Sequence, residues 1–260
     1  MNPVSTLGAA RAPFGSAIER HARASAEHAA KLDETRALLR QAAAAGPVKQ
    51  ASSLGAEDVV ITHLIATLQL PIPVFVLDTG RLHTETLALL ERTQALPGVQ
   101  LQIYRPDAQA VTAYIRNHGQ DALYQSVALR QACCAIRKLE PLARALAGQA
   151  GWITGLRREQ SSARAEVPLI DTSEVPTQQR TKYNPLAAWT QGDVWHYIAE
   201  HDVDHNPLHD AFYPSIGCAP CTRAISLGED IRAGRWWWEE PNAKECGLHA
   251  KSAAASTTPA

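Results

Sequence analysis

The chain has little of what marks a membrane, secreted or duplex-binding protein. No stretch approaches the ~18 to 20 consecutive apolar residues of a spanning helix. The first thirty residues, with Arg11, Glu19, Arg20 and Arg23, lack the apolar centre of a secretory signal. With 25 Lys and Arg against 26 Asp and Glu, the net charge of -1 gives no global field for nucleic acid or an anionic membrane. An anionic ligand must therefore be met by a local cluster of cations. Aromatic residues are only 6% of the 260, but 45% are hydrophobic, enough to bury one sizeable core. The expectation is a cytoplasmic globular chain, free of membrane and nucleic acid, with a homo-oligomer left open.

Several catalytic signatures are also missing. No GKS or GKT ending marks a Walker A loop and no GxGxxG marks a dinucleotide site, which argues against an ordinary ATPase or dehydrogenase. No HExxH or HxH spacing points to a histidine metal site, and no GxSxG elbow points to a serine hydrolase.

What is present is an odd, clustered set of five cysteines: the adjacent pair Cys133 and Cys134, a CxxC at Cys218 and Cys221, and Cys246 alone. In a reducing compartment this clustering favours metal or redox chemistry over disulfides. Two pairs make a four-thiolate site and leave one thiol as a candidate nucleophile. Four thiolates around a [4Fe-4S] core carry a net charge of about -2, and Lys138, four residues after Cys134, would share its helical face and offset part of it. Zinc competes for the same donors, but structural zinc sites pair cysteines two to four residues apart, whereas Cys133 and Cys134 are adjacent. Cys218 and Cys221 lie in a Pro and Gly loop, which argues against buried structural thiols. Cys246, flanked by Lys244 and His249, is in surroundings that lower a thiol pKa.

Along the chain, an Ala-rich extension and one helix occupy residues 1–45, ended by Gly46 and Pro47. Strands are expected at Val48 to Ala51, Ile72 to Thr79, Val99 to Tyr104 and Gly151 to Leu156. Helical patterns follow the first three, and a further helix begins near Thr190. Alternating strands and helices predict an α/β chain with a parallel sheet covered by helices on both faces. Residues 161–181 read as polar and irregular. The α/β domain is placed at 46–240, with a C-terminal segment at 241–260. In such a sheet ligands bind beyond the carboxyl ends of strands, so the loop Ser52 to Asp58 is the expected nucleotide contact. Arg232 and Arg235 offer an anion clamp beside three consecutive Trp.

The combination CCAIRKLEPL, SIGCAPCTR, GRWWWE and KECGLH resembles the assimilatory adenylyl-sulfate reductases, the cluster-containing branch of the phosphoadenylyl-sulfate reductase family. SSLGAED and LDTGRLHTET look like that family's modified PP-loop and its neighbouring strand, and WITGLRREQSSAR like its substrate loop. The resemblance covers roughly residues 45–249. It implies an adenine nucleotide alpha-hydrolase-like fold, a [4Fe-4S] cluster, and reduction of adenylyl sulfate to sulfite and AMP, with thioredoxin as a separate electron donor, in sulfate assimilation and cysteine biosynthesis. Carried over, it makes Cys133, Cys134, Cys218 and Cys221 the cluster ligands and Cys246 the nucleophile. It places Lys138, Arg164, Arg232, Arg235 and His249 in the substrate pocket, with Ser53, Leu77 and Gly155 as nucleotide contacts. A phosphoadenylyl-sulfate or dual-specificity reductase is the nearest alternative. A PP-loop enzyme using ATP or thiolating tRNA is more distant, because SSLGAED lacks the second Gly of SGGxDS.

Overall fold

The computed structural model describes residues 15–240. Five strands run parallel and one antiparallel in a six-stranded sheet: β1 (Val48–Ser52), β2 (Val74–Leu77), β3 (Leu101–Tyr104), β4 (Gly151–Ile153), β5 (Ile170–Asp171) and β6 (Thr181–Tyr183). Their order across the sheet is β3-β2-β1-β4-β6-β5. The chain builds outward from β1 on one side through β2 and β3, then returns to the other side with β4. Loops after β1 and β4 consequently diverge, opening a crevice at their carboxyl ends, the usual ligand position in this architecture.

The expected four strands are present; β1 runs one residue beyond its expected end, and the other three are shorter than expected. β5 and β6 were not foreseen, because Thr181 to Tyr183 is a three-residue strand that acquires its identity from pairing with β4 rather than from periodicity. Ile170 and Asp171 then pair antiparallel as a short edge strand.

The helices are α1 (Ala17–His21), α2 (His28–Ala44), α3 (Ala56–Thr67), α4 (Thr84–Gln94), α5 (Ala108–His118), α6 (Val127–Cys134), α7 (Glu140–Ala145), α8 (Val175–Gln178) and α9 (Gln191–Glu200). Thr190 caps α9 by accepting from the Asp193 N–H, and Asp193 answers at the Thr190 N–H, a reciprocal box that fixes where the helix begins. The Ala-rich helix α2 is part of the fold proper: Leu38, Leu39 and Ala42 join Val60, Ile61, Leu64, Ile65, Trp189 and Ile198 in the main core. Buried Thr35 ties it down, donating to the Pro185 carbonyl and accepting from Trp189 Nε1. No helix among the described residues is long and apolar enough to cross a membrane.

Between α6 and α7 the helix widens into one π turn, Ala135 to Leu139, immediately after the adjacent cysteines. Such single-turn bulges insert an extra residue and often accompany functional sites. The side chains following Cys134 are therefore re-aimed relative to an unbroken α-helix.

Gly151 is required by the close approach of β4 to its neighbours. A Cβ there would lie 2.7 Å from the Thr181 carbonyl oxygen and 3.0 Å from the Tyr183 ring. Gly151→Val should wedge β6 away and destabilise the fold by about 1–3 kcal/mol, several degrees of thermal midpoint. An unchanged midpoint by circular dichroism would contradict this account of the β4–β6 contact.

Candidate active site

At the crevice, the loop after β1 is organised by one buried carboxylate. Asp58, in the first turn of α3, accepts from the Ser53 N–H (2.6 Å) and the Ser53 hydroxyl (2.7 Å), and also from the Gly155 N–H on the loop after β4. The two divergent loops are thus joined through one side chain. Gly155 comes so close to Asp58 and Glu57 that no Cβ fits there without displacing them. Leu54 takes a left-handed conformation, φ 60°, which non-glycine residues rarely adopt and which here turns the chain into α3. Burial pushes the Asp58 carboxyl up to about 6, and the Ser53 hydrogen bonds only partly oppose it. Beside it, Glu57 accepts from Arg157 Nε (2.9 Å) and Gln160 Nε2 (3.0 Å), so the segment carrying Arg157 is locked to the start of α3.

A second feature lies behind the loop after β2. Cys133, Cys134, Cys218 and Cys221 are all buried and line one small cavity together with Arg81, Arg130, Arg137, Lys138 and Trp236. Cys133 and Cys134 arrive on the last turn of α6, and Cys218 precedes and Cys221 ends a short 3-10 turn, Ala219 to Cys221, that Pro220 pre-sets. Thr79 Oγ1 lies 3.2 Å from Cys218 Sγ, and Arg137 donates to the Thr79 carbonyl (2.7 Å) while also bonding Cys133. Arg130 bonds Cys134 and makes a fully buried two-pronged pair with Glu239, both contacts 2.8 Å. Trp236, 1% exposed, is held between the guanidinium groups of Arg130 and Arg235, 4.8 and 4.7 Å from its ring centre.

Burial pushes the Cys221 thiol up to about 11, the neighbouring Cys218 adds to this, and Lys138 and Arg235 pull against it. A thiol raised this far stays protonated unless a further positive charge joins it. The sulfur spacing limits what that charge can be. A single tetrahedral zinc with Zn–S bonds of about 2.3 Å holds its sulfurs about 3.8 Å apart. Among the described residues, no three of the four cysteine sulfurs fall within 4.8 Å of one another. The donors are chemically suited to a metal centre, but their spread is wider than one zinc ion requires.

The crevice itself is a cleft of about 440 Å³. Ser53, Leu77, Gly155, Lys138, Arg164, Arg232 and Arg235, drawn from widely separated parts of the chain, all line it. Lys138, Cys218 and Trp236 also line the thiol cavity, so they form the wall that the two share. Arg235 is nearly buried against Gly217, Ser215 and Ile216, whereas Arg164 is held by the Gln160 side chain (2.6 Å). Cys246 and His249 lie outside the described residues. Sequence reasoning did not single out Arg81, Arg130, Arg137, Thr79 or the Asp58 bridge. Arg137 precedes Lys138 directly, so its proximity to the cysteines was legible, but its direction depends on the π turn.

Fold and cleft together define an α/β enzyme with a nucleotide-type crevice walled by a buried thiol centre. Residues 47–224 match the phosphoadenosine phosphosulfate reductase domain, and the chain belongs to that family. As such it is an oxidoreductase acting on a sulfur group, with an adenine nucleotide alpha-hydrolase-like fold. An adenosine 5'-phosphosulfate reductase of Allochromatium vinosum is 56% identical over 199 residues, 76% of this chain and 77% of that protein. One of Burkholderia cepacia is 52% identical over 224 residues, 86% and 89% of the two chains. Among solved structures, phosphoadenylyl-sulfate reductase from Candida auris superposes with a TM-score of 0.62 at 26% identity, covering 78% of this chain and 98% of that one. An FMN adenylyltransferase of Candida glabrata, 11% identical with a TM-score of 0.54 over 88% and 82% of the chains, shares the fold alone.

Asp58 generates a prediction about pH. Its folded pKa, about 6, lies above its ordinary value of 3.8, so between those values the folded chain binds a proton that the unfolded chain does not. Its contribution is most favourable at low pH and is lost as pH rises through about 6. Asp58→Asn, neutral throughout, removes this dependence. From pH 7 to 5 the thermal midpoint of the wild type should therefore rise relative to that of Asp58→Asn, and parallel midpoints would contradict the placement of Asp58.

Proposed function

We propose that the chain reduces adenosine 5'-phosphosulfate to sulfite and AMP through a sulfonated Cys246, with thioredoxin as the electron donor. The observation that carries this reading is the convergence of Lys138, Arg164, Arg232 and Arg235 on one nucleotide-type cleft whose wall is the four-cysteine cavity. The substrate is a mixed phosphate and sulfate anhydride, and both halves are anionic. Four cations in one cleft match that charge and stabilise the departing phosphate.

The Cys246 thiolate attacks the sulfate sulfur in line. A sulfur–sulfur bond forms, the bond from that sulfur to the phosphate oxygen breaks, and AMP leaves with the electron pair. A thioredoxin thiolate then attacks the Cys246 sulfur and releases sulfite. Its second thiol resolves the mixed disulfide, so both electrons come from the thioredoxin dithiol. Glu239 is anchored beside the thiol cavity by Arg130, and Cys246 lies seven residues further on, within up to about 25 Å of extended chain. His249 would join these cations in meeting the anionic substrate.

Cys133, Cys134, Cys218 and Cys221 would hold a [4Fe-4S] cluster, which fits sulfurs spread more widely than a single zinc allows. When bound, that group concentrates negative charge behind Lys138 and fixes its position, an electrostatic and structural contribution rather than an electron relay. Lys138 stands between the thiol cavity and the cleft, so it faces both negative charges at once. The two cysteine pairs favour adenosine 5'-phosphosulfate over its 3'-phosphorylated form.

The test is the intact mass of anaerobically purified protein after incubation with either nucleotide, without thioredoxin. One added sulfonate on Cys246, formed preferentially with adenosine 5'-phosphosulfate, is expected. Preference for the 3'-phosphorylated nucleotide would reassign the substrate, and no adduct with either would overturn the mechanism. Lys138→Ala should lower kcat/KM by about 10²–10³-fold, the size of effect seen when one preorganised charge contact to a transition state is removed. Unchanged turnover would remove Lys138 from the site.

A further inference from the structure

On the helices behind the cleft, a second set of ligating side chains comes together. His28 opens α2, and His196 and Glu200 stand one turn apart on α9. One ring nitrogen of each histidine and a carboxylate oxygen of Glu200 all lie within 4.8 Å of one another. His196 Nε2 is 3.7 Å from Glu200 Oε2, and the two imidazoles meet edge to face with centroids 5.0 Å apart.

His28 is 8% exposed and packed against the Trp189 ring, yet both of its ring nitrogens are buried without a hydrogen-bond partner. Buried polar atoms are normally satisfied, so an unpartnered imidazole beside two other ligating groups asks for a partner. Its Nδ1 lies 3.3 Å from Asp193 Oδ1. Asp193 is itself fixed, accepting from Lys31 Nζ (2.9 Å), the Ser25 N–H (2.7 Å) and the Thr190 N–H (2.9 Å). A carboxylate beside one ring nitrogen is a usual setting of a metal-bound histidine.

We propose that His28, His196 and Glu200 form a binding site for a borderline divalent transition-metal ion of the zinc type. Two imidazoles and one carboxylate suit such an ion, whereas magnesium and calcium prefer oxygen donors. Bonds of about 2.0–2.2 Å bring ligand atoms to roughly 3.3 Å from one another, so the three groups must contract around the ion. His196 is half-exposed and Glu200 is exposed, the latter also 3.9 Å from His201 Nε2, so these two side chains have room to adjust while buried His28 supplies the fixed point. The ion would clamp the start of α2 to α9. Because α9 presents Gln191, Val194 and Trp195 to the cleft, it would brace that wall from behind without touching substrate. Spacing in the sequence hides the site, since His28 and His196 meet only through the packing of α2 against α9.

The test is zinc titration of the protein as purified, against a chromophoric chelator, with thermal unfolding and zinc-edge X-ray absorption. One tight equivalent with nitrogen and oxygen ligands, including imidazole, is expected, together with a raised thermal midpoint. His196→Ala and Glu200→Gln, both at accessible positions, should each weaken that equivalent by roughly tenfold or more and abolish the thermal response. Sulfur ligation in the wild type, or equal zinc affinity and thermal response in the wild type and both variants, would overturn the proposal.

Discussion

Four buried sulfurs set the terms for the rest of this molecule. Sulfur donors withdrawn from water can carry negative charge only if positive charge is withdrawn with them. The fold meets that demand by bringing Arg130, Arg137, Lys138 and Arg235 around the cavity and stacking Trp236 between two of the guanidinium groups. Arg130 is in turn neutralised by Glu239, and this buried pair fastens the end of the described chain to α6. Breaking one partner of such a pair leaves an uncompensated charge in the interior, so the closure is held far more firmly than an exposed ion pair would hold it. Trp236 itself has φ 42°, a left-handed conformation that a bulky residue adopts only when its surroundings enforce it.

The same arrangement links the thiol cavity to the cleft. Lys138 borders both, and the π turn that carries it lies directly after Cys134. On the opposite wall, Asp58 ties the loop after β1 to the loop after β4 at the point where strand order reverses. The cleft is therefore preorganised from two sides: a carboxylate fixes the backbone of the loop after β1, and the π turn after Cys134 sets the position of Lys138.

Much of this was legible in the sequence, for identifiable reasons. The parallel core followed from apolar runs alternating with helical patterns, and the position of the cleft from the rule that ligands lie beyond strand ends. The cysteines declared themselves by clustering in pairs. What was not legible depended on tertiary contact. β6 is three residues long and exists by pairing with β4. Arg130 lies on a helix that reads as ordinary, and its buried partner Glu239 is 109 residues away. The cysteine and lysine spacing suggested an unbroken helical face, whereas the π turn sets the actual direction of Arg137 and Lys138. Asp58 read as a polar loop residue, and only the approach of Gly155 shows that it joins two loops.

The central claim is that the four buried cysteines hold a multinuclear iron–sulfur centre balanced by the surrounding cations. Mössbauer spectroscopy of anaerobically purified, iron-57-enriched protein, read with its iron and sulfide content, tests this most directly. The account predicts about four iron and four sulfide per chain, with spectra of a single four-iron cluster. Protein free of iron, with one zinc ion bound by the four cysteine sulfurs, would contradict it.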